Sequence, residues 1–456
     1  MQMTFLSIDP ASGERVQEYP AWGPERVEQA LAASAAAVPG WSARTIEERA
    51  VLLRHAGELL MQRRDEYALL MSREMGKLLP DAKAEIEKCA KACAYYADEA
   101  PKMLADEIIK TEASKSLVAY QPLGTVLAIM PWNFPFWQVI RAAAPALSAG
   151  NTLMLKHADN VTGCALALEA VFRDAGFPAG VFQTLLIHIP VIDSVIRDPR
   201  VQAVTLTGSE RAGVAVGRAA GETLKKCVLE LGGSDAFVVL DDADLKLAAE
   251  TGAKARYQNT GQSCICAKRF ILVESVADAF LREFRARAEA LVPGDPRDAK
   301  TSLGPMARLD LRDSLHAQVQ DAIAKGATPL LGCAPSSGKG AFYPASILDG
   351  VKPGMRAWDE ELFGPVASVI RVKDEAGALA VANGTNFGLG GSVWTNDIKR
   401  GEAFARRLQS GSAFVNAMVK SDQRLPFGGV KRSGFGRELS HHGIQEFVNV
   451  KTLSIA

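Results

Sequence analysis

Apolar positions along the chain change their period near residue 120, and that change predicts its organisation. Over Pro24–Val38 and Ile46–Gly76 they recur at the spacing of one helix face, and Asp81–Ala97 continues the pattern. Thr45 followed by Glu48 makes a capping box at the head of the second helix. Cys89 and Cys93 stand one helical turn apart in the third, on an Ala-rich face suited to burial. The first hundred residues therefore read as mostly helical. Asp106–Pro122 differs. Two short strand-like runs, Ile108–Lys110 and Leu117–Tyr120, flank a polar turn. Such a hairpin has little core of its own and offers an edge to another subunit.

From Gly124 onward short apolar runs alternate with amphipathic stretches. Gly124–Met130, Thr152–Lys156, Val181–Ile187 and Val201–Thr207 read as strands. Phe134–Ala144, Val161–Ala175, Val191–Arg197 and Arg211–Gly221 read as helices, with Pro145 expected to end or kink the first. Nearly continuous apolar strands in β-α order predict a parallel sheet with helices on both faces. Ligands of such sheets bind beyond the carboxyl ends of the strands. A second α/β series begins near Cys227 and runs to about Asn416. Its expected strands are Ala236–Leu240, Phe270–Val273 and Val366–Val372, and its helices Asp244–Tyr257, Val276–Leu291 and Arg308–Ala324. Pro293–Lys300 and Ala334–Lys339 are loops by composition. The tail Pro426–Arg437 is rich in Gly and basic residues, and Phe447–Ile455 is a last strand-like run.

Composition narrows this picture. A chain of 456 residues exceeds one ordinary core, so two or three domains are expected. Lys plus Arg and Asp plus Glu both number 52, which removes the basic footprint of a nucleic-acid binder. No apolar run reaches the ~18 residues of a membrane span, and Met1–Pro10 lacks a basic-then-apolar leader. Seven scattered cysteines, an odd number, argue against a disulfide framework, and with six histidines they offer no paired metal-ligand spacing. The expected compartment is a reducing cytoplasm.

Five short stretches carry candidate chemistry. Asn259–Arg269 reads N-T-G-Q-S-C-I-C-A-K-R, between a helix and a strand. An exposed thiol near backbone N–H groups at such a junction has a low pKa; a buried one is a small apolar filler. Pro131-Trp132-Asn133-Phe134-Pro135 follows the strand Gly124–Met130, so Asn133 either caps a helix or turns its amide into a crevice. Thr207-Gly208-Ser209-x-x-x-Gly213 opens a helix with small residues, which suits a phosphate or any tight turn. Glu230-Leu231-Gly232-Gly233 sets a carboxylate at a strand end, as a surface group or a general base. Glu361-Leu362-Phe363-Gly364-Pro365 places another before a turn.

Taken together, and in this order along the chain, these motifs resemble those of the aldehyde dehydrogenase superfamily. The resemblance spans essentially the whole length. It rests on N-x-G-Q-x-C around Cys264, E-L-G-G at Glu230, P-W-N at Asn133, E-x-F-G-P at Glu361, and P-F-G-G-x-K-x-S-G-x-G-R-E from Pro426 to Glu438. Spacing and hydrophobicity are similar to those of the short succinate-semialdehyde dehydrogenases. The resemblance implies an α/β fold with a Rossmann-type cofactor domain (1–105 and 121–229), an α/β catalytic domain (230–418) and a small β oligomerisation element (106–120 and 440–456). Residues 419–439 would return to the active site as a loop.

It also implies roles. Cys264 would attack the aldehyde, with Asn133 and its own backbone N–H holding the oxyanion, and Glu230 would activate water against the thioester. Trp132, Gly208, Ser209, Leu231, Glu361 and Phe363 would surround the nicotinamide and pyrophosphate, and Lys156 the adenosine ribose. The family usually has K-P-x-E or K-P-x-S there; this chain has Lys156-His157-Ala158-Asp159. Asp159 suits a free ribose 2′-hydroxyl and repels a 2′-phosphate, so NAD is expected over NADP, with Lys156 offsetting part of that repulsion. His157 is expected to be an exposed loop residue. Trp137 and Arg141 follow Asn133 at helical steps and can face one tunnel. There Arg141 would anchor a substrate carboxylate, helped by Ser421, or else form a salt bridge; Trp137 would line the tunnel or pack in the core. Cys266 is packing, or the partner of Cys264 in an oxidative disulfide. The expected partners are a small aldehyde and further copies of the chain, as a homodimer or homotetramer, with no nucleic acid and no membrane. Succinate semialdehyde is the leading substrate. Glutarate semialdehyde, a CoA-acylating reaction and a non-catalytic homologue are the alternatives.

Overall fold

The structure, a computed structural model, describes residues 4–456. Helices Pro24–Ser42, Ile46–Gln62, Arg64–Met75 and Leu79–Met103 fill most of the first hundred residues, as their period predicts. The capping box forms: Glu48 N donates to Thr45 Oγ1 at 3.2 Å and Thr45 N to the Glu48 carboxylate at 2.8 Å. The single helix expected over Ile46–Gly76 is two, because Arg63 leaves helical geometry at φ −101°, ψ 16°. Two strands precede these helices, Thr4–Ile8 and Arg15–Pro20, paired antiparallel. They were not expected, since Arg15–Pro20 is largely exposed and shows no apolar pattern.

The first large sheet has the order Gly434–Phe435, Lys226–Glu230, Val201–Thr207, Thr125–Met130, Thr152–His157, Phe182–Thr184. Every pair is parallel except the first. The chain starts in Thr125–Met130, steps outward twice on one side, then crosses back to Val201–Thr207 on the other. The strand order reverses between these two central strands. Their carboxyl ends splay the following loops apart and open a crevice. The helix after Thr125–Met130 runs over Trp137–Ser148. It passes through Pro145 instead of stopping there. Pro145 lies in the last turn, where its missing N–H forfeits a single bond. The helix also starts later than expected, and a carboxylate from elsewhere caps it: Glu85 Oε1 accepts from Phe136 N and Trp137 N, both at 2.9 Å.

The second sheet has the order Thr328–Leu331, Ser346–Asp349, Val366–Val372, Ala267–Val273, Asp235–Val239, Gly391–Trp394, Phe414–Val415. Four of its strands escaped the sequence pattern because they are only two to four residues long. Strand Lys226–Glu230, placed by its sequence at the start of the second series, pairs with Val201–Thr207 and closes the first sheet. Asp235–Val239 then opens the second sheet, so Glu230 stands where the chain leaves one sheet for the other.

A third sheet is antiparallel: Val448–Ile455 pairs along its whole length with Lys115–Pro122, whose other edge holds Glu107–Ile109. Residues 440–456 are not all strand, since Ser440–Gln445 is helical. Ile108, Ile109, Val450, Leu453 and Ile455 are exposed on this sheet. Among the described residues no helix is long and apolar enough to cross a membrane, and no cluster of His, Cys, Asp or Glu forms a metal site.

Candidate active site

Asn133 lies three residues beyond strand Thr125–Met130, in a buried turn held by charge. Lys77, from the loop before helix Leu79–Met103, and Glu85, on that helix, form an ion pair in which both side chains are almost fully buried. Lys77 Nζ also donates to the Asn133 carbonyl at 2.9 Å and sits 3.8 Å from the Phe134 ring centre. Glu85 holds the next two residues through the amides described above. Removing one partner of such a pair leaves an uncompensated buried charge and costs about 3–5 kcal/mol. The Asn133 side chain is thus fixed from behind. Its Nδ2 donates to Gln262 O at 3.1 Å, and its Oδ1 has no partner in the protein. Asn133 does not cap the helix.

Gln262 belongs to the loop that carries Cys264. Asn259, Thr260 and Gly261 are left-handed in succession, at φ 51°, 56° and 71°. The β-branched Thr260 is strained there. Its hydroxyl donates to Gly304 O at 3.1 Å, and Asn259 Nδ2 donates to both Asn133 O (2.9 Å) and Gln262 O (3.1 Å). The strained loop and the Asn133 turn are therefore one hydrogen-bonded unit. Sequence reasoning missed Lys77 and Glu85, because their work is to hold a backbone carbonyl and amides, which no side-chain motif announces; Asn259 stood in the cysteine motif without an assigned role.

Eight of the expected residues line one cavity of about 260 Å³ at the switch point: Trp132, Asn133, Gly208, Ser209, Leu231, Cys264, Glu361 and Phe363. Gln138 and Leu311 complete its wall without having been foreseen. Trp132 meets Phe363 edge to face, centroids 5.8 Å apart. Glu361 pairs with the buried Lys268 at 2.9 Å. Lys268 Nζ also donates to Cys264 O at 2.6 Å, so one ammonium joins the Glu361 loop to the cysteine loop. Ser209 caps helix Glu210–Glu222 by accepting from Ala212 N. One turn in, a Cβ at Gly213 would lie 2.5 Å from Leu231 Cδ1, so a larger residue there would displace the Leu231 side chain from the crevice wall. A helix N-terminus beside small residues and an aromatic wall fits the phosphates and ring of a dinucleotide.

Cys264 is half-buried and lines this cavity. Burial pushes its thiol up to about 12, against the pull of Lys268 and Arg141. In this half-buried position the nearby cations do not outweigh desolvation. Cys266 is fully buried, its Sγ 3.9 Å from the Gln258 carbonyl, and all seven cysteines are free thiols. That arrangement fits packing.

Glu230 is buried and lies behind the cavity wall. Neither of its carboxylate oxygens has a hydrogen-bond partner in the protein. Its Oε1 faces Gly428, where a Cβ would come within 2.6 Å. Burial, and next the Glu438 carboxylate, hold Glu230 well above the usual range, with Arg141 acting against them. Arg141 forms the salt bridge that was the alternative to anchoring a substrate carboxylate. Its guanidinium is buried, ion-paired with Glu438, donates to Thr207 Oγ1 at 3.2 Å and lies 4.7 Å over the Phe427 ring. The reason is the returning tail, which pairs Gly434–Phe435 with Lys226–Glu230 and Phe427 with Glu438, and so delivers a carboxylate to Arg141.

Lys156 and Asp159 stand apart from the cavity, at the end of strand Thr152–His157. They are bonded to each other, Nζ to Oδ1, at 2.8 Å, with Asp159 half exposed. His157 is buried, not exposed as expected. Its Nδ1 accepts from Ala158 N at 2.9 Å and its Nε2 donates to Pro135 O at 2.9 Å, which ties this strand end to the Asn133 turn. Burial lowers its pKa to about 4, so the ring is neutral and the Nε2–H tautomer follows.

Trp137 lines a second, larger cavity of about 580 Å³, together with Phe134, Glu85, Lys88 and Asn259. Ser421 is near it through Lys88, whose Nζ donates to Ser421 Oγ at 2.6 Å and sits 4.1 Å over the Trp137 ring. Lys88 was missed; on a helix with many charges nothing in the sequence distinguishes it.

A dinucleotide crevice at a switch point, with a thiol and a carboxamide in its wall, defines an NAD(P)-dependent dehydrogenase of aldehydes. The chain belongs to the aldehyde dehydrogenase family, whose family model matches residues 2–453. It is 50% identical over 448 residues to the succinate semialdehyde dehydrogenase [NAD(P)+] Sad of Escherichia coli (strain K12), covering 98% of this chain and 97% of that one. It is 47% identical over 455 residues to succinate-semialdehyde dehydrogenase [NADP(+)] 1 of Mycobacterium ulcerans (strain Agy99), covering 99% of each. The solved succinic semialdehyde dehydrogenase of Streptococcus pyogenes in complex with NADP+ superposes with a TM-score of 0.97 at 34% identity, covering 99% of both chains.

The raised thiol has a measurable consequence. Alkylation of Cys264 by iodoacetamide in the free enzyme, with Cys264→Ser as the control for other thiols, is expected to accelerate with pH up to about pH 10 without levelling. A plateau near neutral pH would show a thiolate already formed.

Proposed function

We propose that this enzyme oxidises succinate semialdehyde to succinate with NAD(P), in the cytoplasm, and that Cys264 is its nucleophile. The observation that carries the reading is the convergence of Cys264, Asn133 and the nucleotide crevice on one cavity. The identity to enzymes named for this substrate supports it. Cys264 gives up its thiol proton to solvent, and its Sγ attacks the aldehyde carbon to form a thiohemiacetal oxyanion. The Asn133 Nδ2–H and the Cys264 backbone N–H receive the oxyanion, a contribution of about 3–4 kcal/mol per donor. Trp132, Gly208, Ser209, Leu231, Glu361 and Phe363 hold the nicotinamide half of the cofactor, and Lys156 and Asp159 its adenosine ribose. A nicotinamide held there would supply the hydride acceptor for this oxidation. Glu230 then turns from Gly428 toward the thioester and takes a proton from water. Its raised pKa makes it a stronger base for that step.

Glutarate semialdehyde, one methylene longer, is the second reading; one methylene is worth only about 1–3 kcal/mol in a pocket. A CoA-acylating enzyme has no need of a water-activating base at Glu230, and a non-catalytic homologue has no need of Cys264, Asn133 and Glu230 together.

Three measurements test this. With succinate semialdehyde and no CoA, the wild type is expected to form NAD(P)H, and Cys264→Ser to form none. Glu230→Gln is expected to give a stoichiometric burst and then turnover slowed at least about a hundredfold, since hydride transfer precedes its step. Turnover that requires CoA, or a Glu230→Gln enzyme without a burst, would contradict the assignment.

For the cofactor we propose that both NAD and NADP are accepted. Asp159 disfavours a 2′-phosphate, but its carboxylate is already paired with Lys156, and relatives are named for NADP(+). Asp159→Ser is expected to raise the NADP-to-NAD ratio of kcat/KM several-fold by removing like-charge repulsion; an unchanged ratio would remove Asp159 from the selection.

We further propose that copies of the chain associate through the three-stranded sheet and its exposed Ile108, Val450 and Ile455. Light scattering is expected to give a homodimer or homotetramer, and Val450→Glu a smaller species. A monomeric wild type would refute this.

A further inference from the structure

Strands Thr125–Met130 and Thr152–His157 run side by side, with Met130 opposite His157 at their carboxyl ends. Beyond that point one chain segment becomes the Asn133 turn and the other the loop of Lys156 and Asp159. The first leads to the thiol, the second to the place assigned to the adenosine ribose. The His157 side chain crosses between them. Its ring is buried, and its Nε2–H donates at 2.9 Å to the carbonyl of Pro135, two residues after Asn133. Its Nδ1 accepts from Ala158 N at 2.9 Å, which fixes the orientation of the ring. The His157 carbonyl in turn accepts from Lys156 Nζ, the ammonium that also holds Asp159. One residue therefore touches both loops, the oxyanion turn through its ring and the ribose lysine through its carbonyl.

The other holds on the turn come from elsewhere. Lys77 donates to Asn133 O, Gln138 N donates to Phe134 O at 3.0 Å, and Glu85 accepts from the amides of Phe136 and Trp137. Those contacts belong to the helical layer and to the turn's own helix. The Pro135 carbonyl is the point that the cofactor loop grips. A proline at position 157, the usual residue of the K-P-x-E and K-P-x-S pattern, would give Pro135 no N–H and Ala158 no acceptor. Burial keeps the imidazole neutral, so the donor toward Pro135 and the acceptor toward Ala158 are present together at neutral pH.

We propose that His157 is a positioning residue that joins the two ends of the site, holding the Asn133 carboxamide in register with a cofactor seated at Lys156. This inference rests on the roles of Asn133 and Lys156 proposed above and goes beyond them by naming the side chain that couples them. Whatever steadies Lys156 steadies the His157 carbonyl, and the ring carries that constraint to the turn. The register matters because a misplacement of about 1 Å in a reacting site can cost about a hundredfold in rate.

The test measures two quantities in wild type, His157→Phe, His157→Gln and His157→Asn. One is the dissociation constant of the tighter-binding of NAD and NADP, by calorimetry without aldehyde. The other is kcat for succinate semialdehyde at saturating cofactor. His157→Phe keeps a planar ring and removes both polar contacts; it is expected to lower kcat about tenfold and to weaken cofactor binding several-fold. His157→Gln, whose side-chain N–H reaches the Pro135 carbonyl, is expected to recover most of kcat. His157→Asn, which accepts from Ala158 N but falls short of Pro135, is expected to stay as slow as His157→Phe. A merely structural role would make the Gln and Asn variants alike. Asn133→Ala, read through kcat, and Lys156→Met, read through cofactor binding, check the two roles being joined. If both have their effect while His157→Phe matches wild type in kcat and binding, or while His157→Gln is as slow as His157→Asn, the coupling is refuted and the reading of the site stands. If either Asn133→Ala or Lys156→Met is without effect, the reading of the site falls, and this inference with it.

Discussion

The buried pair of Lys77 and Glu85 is the constraint on which the rest of the site depends. It joins the helical layer to the turn beyond strand Thr125–Met130 through three contacts: Lys77 to the Asn133 carbonyl, and Glu85 to the amides of Phe136 and Trp137. That turn orients Asn133, starts the helix that carries Trp137 and Arg141, and meets the cysteine loop through Asn259 and Gln262. Neither charge is in water, so neither can drift from its partner without a penalty of several kcal/mol. The same expense that makes the pair a poor source of net stability makes it a good source of position.

Burial sets the chemistry as well as the geometry. The Cys264 thiol and the Glu230 carboxyl are both raised by desolvation. A site in this condition is chemically quiet. Reactivity then depends on what enters the crevice and changes its dielectric and charge. His157 shows the same force acting in the opposite direction: burial depresses it, keeps it neutral, and leaves one N–H for Pro135.

The parallel sheet was legible because its strands are apolar throughout, and the central site residues because each stands at the end of such a strand. Val201–Thr207 and Val366–Val372 were read to the residue. Edge strands such as Phe414–Val415 were not, being too short to show a period. In the site, motifs located Cys264, Asn133 and the crevice. They did not show which way Glu230 faces, that His157 is buried, or that Arg141 is neutralised by Glu438. Those facts depend on what lies across from each side chain, and for Glu230 and Arg141 that is a tail some two hundred residues or more further along. Lys77 and Lys88 differ from dozens of other basic residues only in what surrounds them.

The pairing of Gly434–Phe435 onto Lys226–Glu230 has a consequence for the birth of the protein. Strand Lys226–Glu230 leaves the ribosome with one edge open and waits for roughly two hundred residues of chain before that edge is covered. The lid over Glu230 and the partner of Arg141 are made roughly two hundred residues or more after the side chains they meet. Long-range closure of this kind is slow and comes late in folding. Until that tail has been made, strand Lys226–Glu230 keeps one edge open and Glu230 lacks its cover, so the wall of the site is completed only when the tail folds back on it.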